Sequence, residues 1–191
     1  MVTSTLTRGG LRSARLVAAG TATRIVLTPV VMWLVLAGDE PGLATALFCV
    51  AAATDWIDGR LARRWGVTTK LGSFLDTTAD KILVAGVLIA LLGVDRVSPW
   101  IVALIVGREI LLMALRGLIA AGGEVMAPSM LGKLKTGIQF SAIALAIRRL
   151  GDPIGGMYLD EWAMLAAAVI TVWSGADYLA RALPALLRDT V

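Results

Sequence analysis

Six stretches of mostly apolar residues, each close to the length of a membrane-crossing helix, limit how this chain can fold. They cover residues 16–36, 43–64, 70–92, 99–121, 131–147 and 161–183, and breaks such as Gly38-Asp39-Glu40-Pro41 separate them. Helical stretches of roughly 20 residues match the hydrocarbon thickness of a bilayer. With 58% apolar residues and a mean hydropathy of +0.80, the chain is expected to be an all-α, polytopic membrane protein with six transmembrane helices. Residues 1–15, with Arg8, Arg12 and Arg15, form a basic juxtamembrane lead expected to lie on the headgroups. A signal peptide fits less well, because no clear cleavage site follows and Arg24 interrupts the apolar run. Residues 16–191 are then a single membrane domain, with no internal repeat or low-complexity tract.

Four aspartates stand against this background: Asp55, Asp58, Asp76 and Asp80. The first two are three apart and the last two four apart, so on helices each pair shares a face. Turn signals over 66–69 suggest that one helix ends near Arg64 and the next starts near Lys70. Asp58 to Arg64 and Lys70 to Asp76 are equal arms of roughly 9 Å at 1.5 Å per residue. If the helices fold back antiparallel, the two pairs meet at the same depth. Carboxylates gathered in this way repel one another. One divalent cation, or two, would relieve the repulsion; an all-oxygen set suits Mg²⁺ or Mn²⁺, and Mg²⁺ brings phosphates as further ligands. The ordinary alternative is a set of unrelated cap and surface carboxylates. It is disfavoured because ionisable groups near membrane depth are costly and usually functional.

Asp55-x-x-Asp58-Gly59-x-x-Ala62-Arg63, eight residues, then Gly72-x-x-x-Asp76-x-x-x-Asp80 resembles the complete signature of the CDP-alcohol phosphotransferase family. Members join an alcohol to the phosphatidyl or similar group of a CDP-linked donor and release CMP. The resemblance covers nearly the whole chain from about Thr21 onward.

Composition narrows the chemistry further. The chain has no histidine, which removes the commonest general base and with it Ser-His-Asp, Cys-His and zinc-hydrolase chemistries. Its one cysteine, Cys49, excludes an internal disulfide and is expected to pack in its apolar run. A net charge of +4 points to anionic lipid and phosphate rather than nucleic acid, because the basic residues lie at the ends of apolar segments. Six spans put both termini on one side. Arg8, Arg12, Arg15, Arg60, Arg63, Arg64, Lys70, Lys133, Lys135, Arg181 and Arg188 then fall with the termini. Only Arg96, Arg148 and Arg149 lie opposite, against Asp39, Glu40, Asp95, Asp152, Asp160 and Glu161. The excess of basic residues makes the terminal side cytoplasmic, and the four aspartates share it. The site is therefore expected on the cytoplasmic face of the cell membrane.

A second constellation follows. Arg108 and Arg116, eight apart on the fourth span, share a face and lie about 12 Å apart along the axis. Arg108 is too near mid-span to snorkel and is expected to point into a polar interior. Lys133, Thr136 and Gln139 follow helical spacing at the start of the fifth span and are expected to face one cavity, with Lys135 nearby. Such a cluster suits a second, anionic substrate. The plainer account has the lysines snorkelling at a helix start and Arg108 paired with an acid such as Glu109, itself a structural counter-ion. Arg108-Glu109, Arg116 and Gly132-Lys133-x-Lys135-Thr136-x-x-Gln139 resemble one branch of the family, the bacterial phosphatidylglycerophosphate synthases. Thr21, Arg24 and Pro29 echo that branch's first span, although Gly20-Thr21 replaces its usual Asn-rich lead.

The resemblance implies transfer of the phosphatidyl group of CDP-diacylglycerol to sn-glycerol 3-phosphate. It implies that Asp55, Asp58 and Asp76 hold metal, with Asp80 near a second metal position. Asp80, or a neighbouring carboxylate, is then expected to take the proton of the attacking hydroxyl. Donor contacts are expected at Asp58, Gly59, Ala62, Arg63 and Gly72, where small residues allow close approach or simply tight helix packing. Arg108, Arg116, Lys133 and Lys135 are expected to bind the acceptor phosphate. A homodimer is implied as well, and Trp56, Trp100, Trp162 and Trp173 exceed what interface anchoring needs. Two alternatives remain open at this stage. One is a sibling enzyme that uses inositol phosphate, or phosphatidylglycerol as in a cardiolipin synthase. The other is a divalent-cation transport protein, which confinement of the acids to one face disfavours.

Overall fold

The computed structural model describes residues 8–65, 70–121 and 130–188, with side chains described over 20–54, 74–120 and 130–183 apart from Lys133. It is all-helical. The elements are α1 (Arg8–Ala37), α2 (Pro41–Trp65), α3 (Lys70–Gly93), α4 (Pro99–Ala121), α5 (Met130–Arg148) and α6 (Leu159–Arg188). No strand occurs among the described residues; only an isolated bridge pairs Ile154 with Met157.

Helix ends follow local chemistry. Gly38, at φ 76°, stops α1 by turning left-handed, and its N–H returns to the Leu34 carbonyl at 3.1 Å. Pro41 and Pro99 open α2 and α4 at the first helical position, where no N–H is missed. The Ser98 carbonyl accepts from Ile101 and Val102 to start α4. Between α5 and α6, Gly155 and Gly156 take φ 63° and 85°, as a tight two-residue turn with both centres left-handed requires. The Glu161 carboxylate then accepts from the Tyr158 N–H at 2.8 Å and caps α6. That cap starts α6 two residues before the expected 161. Toward the other end of the chain α1 already covers residues 8–15, within the expected lead of 1–15, since no proline interrupts residues 8–28.

The chain divides into two compact units, Met1–Ala90 and Leu91–Val191. In the first, α1 packs on α2, and Val31, Leu34, Phe48, Leu83 and Val87 are buried. Gly86 lets α3 approach α1: a Cβ there would meet Met32 Sδ and Thr28 Cγ2 at 2.9 Å. Cys49 is exposed rather than packed. Phe48 and Ala51 take the inward positions of α2, and helical spacing turns Cys49 away from them. In the second unit α6 packs against both α4 and α5, with Leu112, Ile119, Tyr178 and Ala182 forming an apolar cluster. The Arg96 guanidinium donates to the Ala146 and Ile147 carbonyls, closing the C-terminus of α5. Arg149 lies over the Tyr158 ring at 4.2 Å and pairs with Glu161 at 3.2 Å, tying the α5–α6 connection together.

Among the described residues, two helical stretches are long and apolar enough to cross a membrane, Gly20–Ala37 and Leu159–Leu183. The apolar part of α2 is shorter, Pro41–Thr54. Charged residues interrupt the others, among them Asp76, Asp80 and Lys81 on α3 and Arg108, Glu109 and Arg116 on α4.

Candidate active site

Asp76 and Asp80 lie one helical turn apart on α3, both partly buried. Asp76 is held from α1. Its Oδ1 is 2.7 Å from Arg24 Nη2 and accepts from the Thr21 hydroxyl at 3.5 Å. The Arg24 Nη1 also donates to the Asp76 backbone carbonyl at 3.3 Å. Arg24 is wholly buried, at 0% exposed, which α1 arranges by turning Thr21, Arg24 and Thr28 to the same face. The Thr28 hydroxyl donates to the Arg24 carbonyl at 2.7 Å. Asp80 Oδ2 is 3.8 Å from Lys81 Nζ.

Asp55, Asp58, Gly59, Ala62 and Arg63 are on α2, and Gly72 on α3. Their side chains lie outside those described, as does that of Lys133. Among the described residues no three potential metal-ligating side chains come together, and only Asp76 and Asp80 of the four aspartates belong to that set. Two partly buried carboxylates at i, i+4 offer hard oxygen donors and no nitrogen or sulfur. The donor set fits Mg²⁺ or Mn²⁺.

The second unit holds a separate charged cluster. Arg108 Nη1 donates to Glu109 Oε1 at 2.8 Å, and Arg108 Nη2 to the Ser174 hydroxyl of α6 at 3.0 Å. Lys135 of α5 reaches the same Glu109 oxygen. Two of the expected acceptor cations, Arg108 and Lys135, thus share one carboxylate. Arg116 is exposed, with its guanidinium 5.1 Å from the centre of the Tyr178 ring. Thr136 and Gln139 do not share a cavity. Gln139 is buried, whereas Thr136 is exposed and donates to the Gly132 carbonyl at 3.0 Å. Lys135 and Gln139, a full turn apart, form the inward face instead. A groove of about 740 Å³ between α5 and α6, lined by Met130, Leu134, Gly137, Ile138, Ser141, Ala163 and Ala166, contains no candidate site residue.

The first-span motif includes Thr21 and Arg24, but its spacing names no partner for them. Their signal was the three-residue spacing plus the oddity of an arginine inside an apolar run. Ser174 was missed, since a serine on an apolar helix carries no signal by itself.

Comparison with known proteins agrees with the motif. Residues 17–173 match the family described as CDP-alcohol phosphatidyltransferase. A protein of Bacillus subtilis (strain 168) named CDP-diacylglycerol--glycerol-3-phosphate 3-phosphatidyltransferase is 39% identical over 176 residues, covering 84% of this chain and 91% of the relative. Proteins of the same name from Escherichia coli (strain K12) and Shigella flexneri serotype 5b (strain 8401) are each 39% identical over 172 residues, covering 86% of this chain and 92% of the relative.

Proposed function

Because this chain belongs to the CDP-alcohol phosphatidyltransferase family, we propose that it transfers the phosphatidyl group of CDP-diacylglycerol to sn-glycerol 3-phosphate, giving phosphatidylglycerophosphate and CMP. The observation that carries this reading is the identity of 39% across more than four-fifths of the chain to relatives named for that reaction. The eight fixed positions of the aspartate signature stand complete beside it.

In this proposal Asp55, Asp58, Asp76 and Asp80 hold Mg²⁺ or Mn²⁺, two ions per site. Bound there, the metal would supply neutralising charge to the donor diphosphate and the CMP leaving group. The residues do the rest. Gly59, Ala62 and Gly72 leave room for the donor beside the backbone, and Arg63 pairs with a donor phosphate. Asp80 accepts the proton of the attacking acceptor hydroxyl, a role that falls to a carboxylate in a chain without histidine. Arg108, Arg116, Lys133 and Lys135 bind the acceptor phosphate.

The proposal includes six membrane spans with a cytoplasmic site. Its support is the charge sorting and the exposure of large apolar side chains on every helix, among them Trp33, Val50, Ile89, Ile110, Leu134 and Val172. A basic lead of 1–15, a single membrane domain over 16–191 and a homodimer complete the reading; Trp100, Trp162 and Trp173 are exposed and free to serve an interface or the headgroup region. An acceptor panel tests the reaction. Purified protein in detergent, given CDP-diacylglycerol and Mg²⁺, should release CMP with sn-glycerol 3-phosphate and much less with inositol phosphate, phosphatidylglycerol or glycerol. Equal release with any of those acceptors would remove the assignment.

A further inference from the structure

We infer that Arg24, assisted by Thr21, is a positioning residue for Asp76, holding one carboxylate oxygen so that the other is presented to the divalent cation. The inference rests on the proposed role of Asp76 as a metal ligand and concerns residues with no part in the aspartate signature.

The geometry constrains Asp76 at two points. Arg24 Nη2 and the Thr21 hydroxyl meet the same atom, Oδ1, at 2.7 and 3.5 Å. Arg24 Nη1 meets the backbone carbonyl of the same residue at 3.3 Å. One guanidinium therefore fixes both the side-chain rotamer and the backbone from which that side chain springs. Oδ2 takes part in neither contact. A lysine could not copy this, since its single ammonium lacks the planar fork. Burying a guanidinium completely is costly unless it is paired, and Arg24 is fully buried on a helix whose other residues from Gly20 to Ala37 are apolar enough to span a membrane. A tie between α1 and α3 alone could be made by apolar packing, as Gly86 against Thr28 and Met32 already does.

Two physical effects of Arg24 oppose each other, and that makes the inference testable. As a charge beside a cation site, Arg24 repels metal, so removing it should tighten binding. As a clamp on Asp76 it organises the site, so removing it should weaken binding. Loss of a hydrogen-bonding partner behind a metal ligand typically costs about 10- to 100-fold in metal affinity. The experiment compares Arg24→Lys, Arg24→Gln and Thr21→Val with the parent in detergent. It measures Mn²⁺ binding in the presence of CMP, from loss of the free-ion EPR signal, alongside the Mg²⁺ dependence of CMP release. Folding is followed by tryptophan fluorescence on heating. Arg24→Lys should weaken Mn²⁺ binding at least about tenfold, Thr21→Val by less, and both should raise the Mg²⁺ needed for half-maximal rate while the KM for glycerol 3-phosphate stays within twofold. If Arg24→Gln does not fold, Arg24→Lys and Thr21→Val still decide. Mn²⁺ binding unchanged or tighter in folded Arg24→Lys would overturn the inference. Asp76→Asn is the control: retained Mn²⁺ binding and CMP release in that variant would instead remove the metal-ligand reading itself.

Discussion

Lys135 on α5 ends on the carboxylate of Glu109 on α4, and both side chains are almost entirely buried, at 3% and 6% exposed. Arg108 meets the same oxygen from its own helix and continues to Ser174 on α6. Three helices are thus joined through one acid that carries two cations. Such a cluster is worth little as a net gain over apolar packing, but losing one member leaves a charge buried without its partner.

Glu109→Gln should therefore destabilise the protein by about 3–5 kcal/mol. At about 2–4 °C per kcal/mol, the Tm in detergent should fall by roughly 10 °C. Adding Lys135→Met to Glu109→Gln should recover part of that loss by removing one cation that has lost this carboxylate. A single variant as stable as the parent would show that Glu109 does not hold the cluster.

The metal proposal makes a separate demand. CMP release should stop in excess chelator and return with Mg²⁺ or Mn²⁺. Asp55→Asn, Asp58→Asn, Asp76→Asn and Asp80→Asn should each lower the rate by about 100-fold or more, because an amide neither carries the charge nor accepts the hydroxyl proton. The Tm values of the Asp55, Asp58 and Asp80 variants should stay near that of the parent, whereas Asp76→Asn should lower it, because it takes a carboxylate from the buried Arg24. Full activity in Asp80→Asn would remove it as the base.

Much of the fold could be read in advance, because helix ends are set by near neighbours. Gly38 and Pro41 mark the α1–α2 break, and Pro99 the start of α4, within a residue or two of their places. Local signals failed where a distant or lateral partner decides. The cap that Glu161 gives Tyr158 moved the start of α6, and Cys49 faces outward because Phe48 and Ala51 claim the inward positions. The candidate site divides in the same way. Spacing alone places Asp76 and Asp80 on one face. Spacing cannot say that Thr21 and Arg24 meet Asp76, since more than 50 residues separate them. Nor can it say that Glu109 rather than a ligand holds Lys135, because both are packing outcomes of three helices.

Topology is tested by labelling. In a Cys49→Ser background, an impermeant thiol reagent applied to intact cells should modify Glu40→Cys and Asp152→Cys but not Thr68→Cys. Labelling of Thr68→Cys from outside would reverse the orientation.

The acceptor pocket gives the last prediction. Arg108 and Lys135 share Glu109, so replacing either one disturbs stability together with binding. Arg116 separates the two effects: it is exposed, and its contact is with the Tyr178 ring at 5.1 Å. A phosphorylated acceptor needs more positive charge than the single net charge that Arg108 and Lys135 keep beside Glu109, and Arg116 with Lys133 would supply it. Charge-assisted hydrogen bonds are each worth about 1.5–3 kcal/mol, so Arg116→Ala and Lys133→Ala should raise the KM for glycerol 3-phosphate about 10- to 100-fold. The KM for CDP-diacylglycerol should move far less, and the Tm by little. Tyr178→Phe keeps the ring under the guanidinium and should leave the acceptor KM near the parent value. A rise in the donor KM equal to that in the acceptor KM would place Arg116 on the donor instead, and the acceptor phosphate would then have to be sought elsewhere.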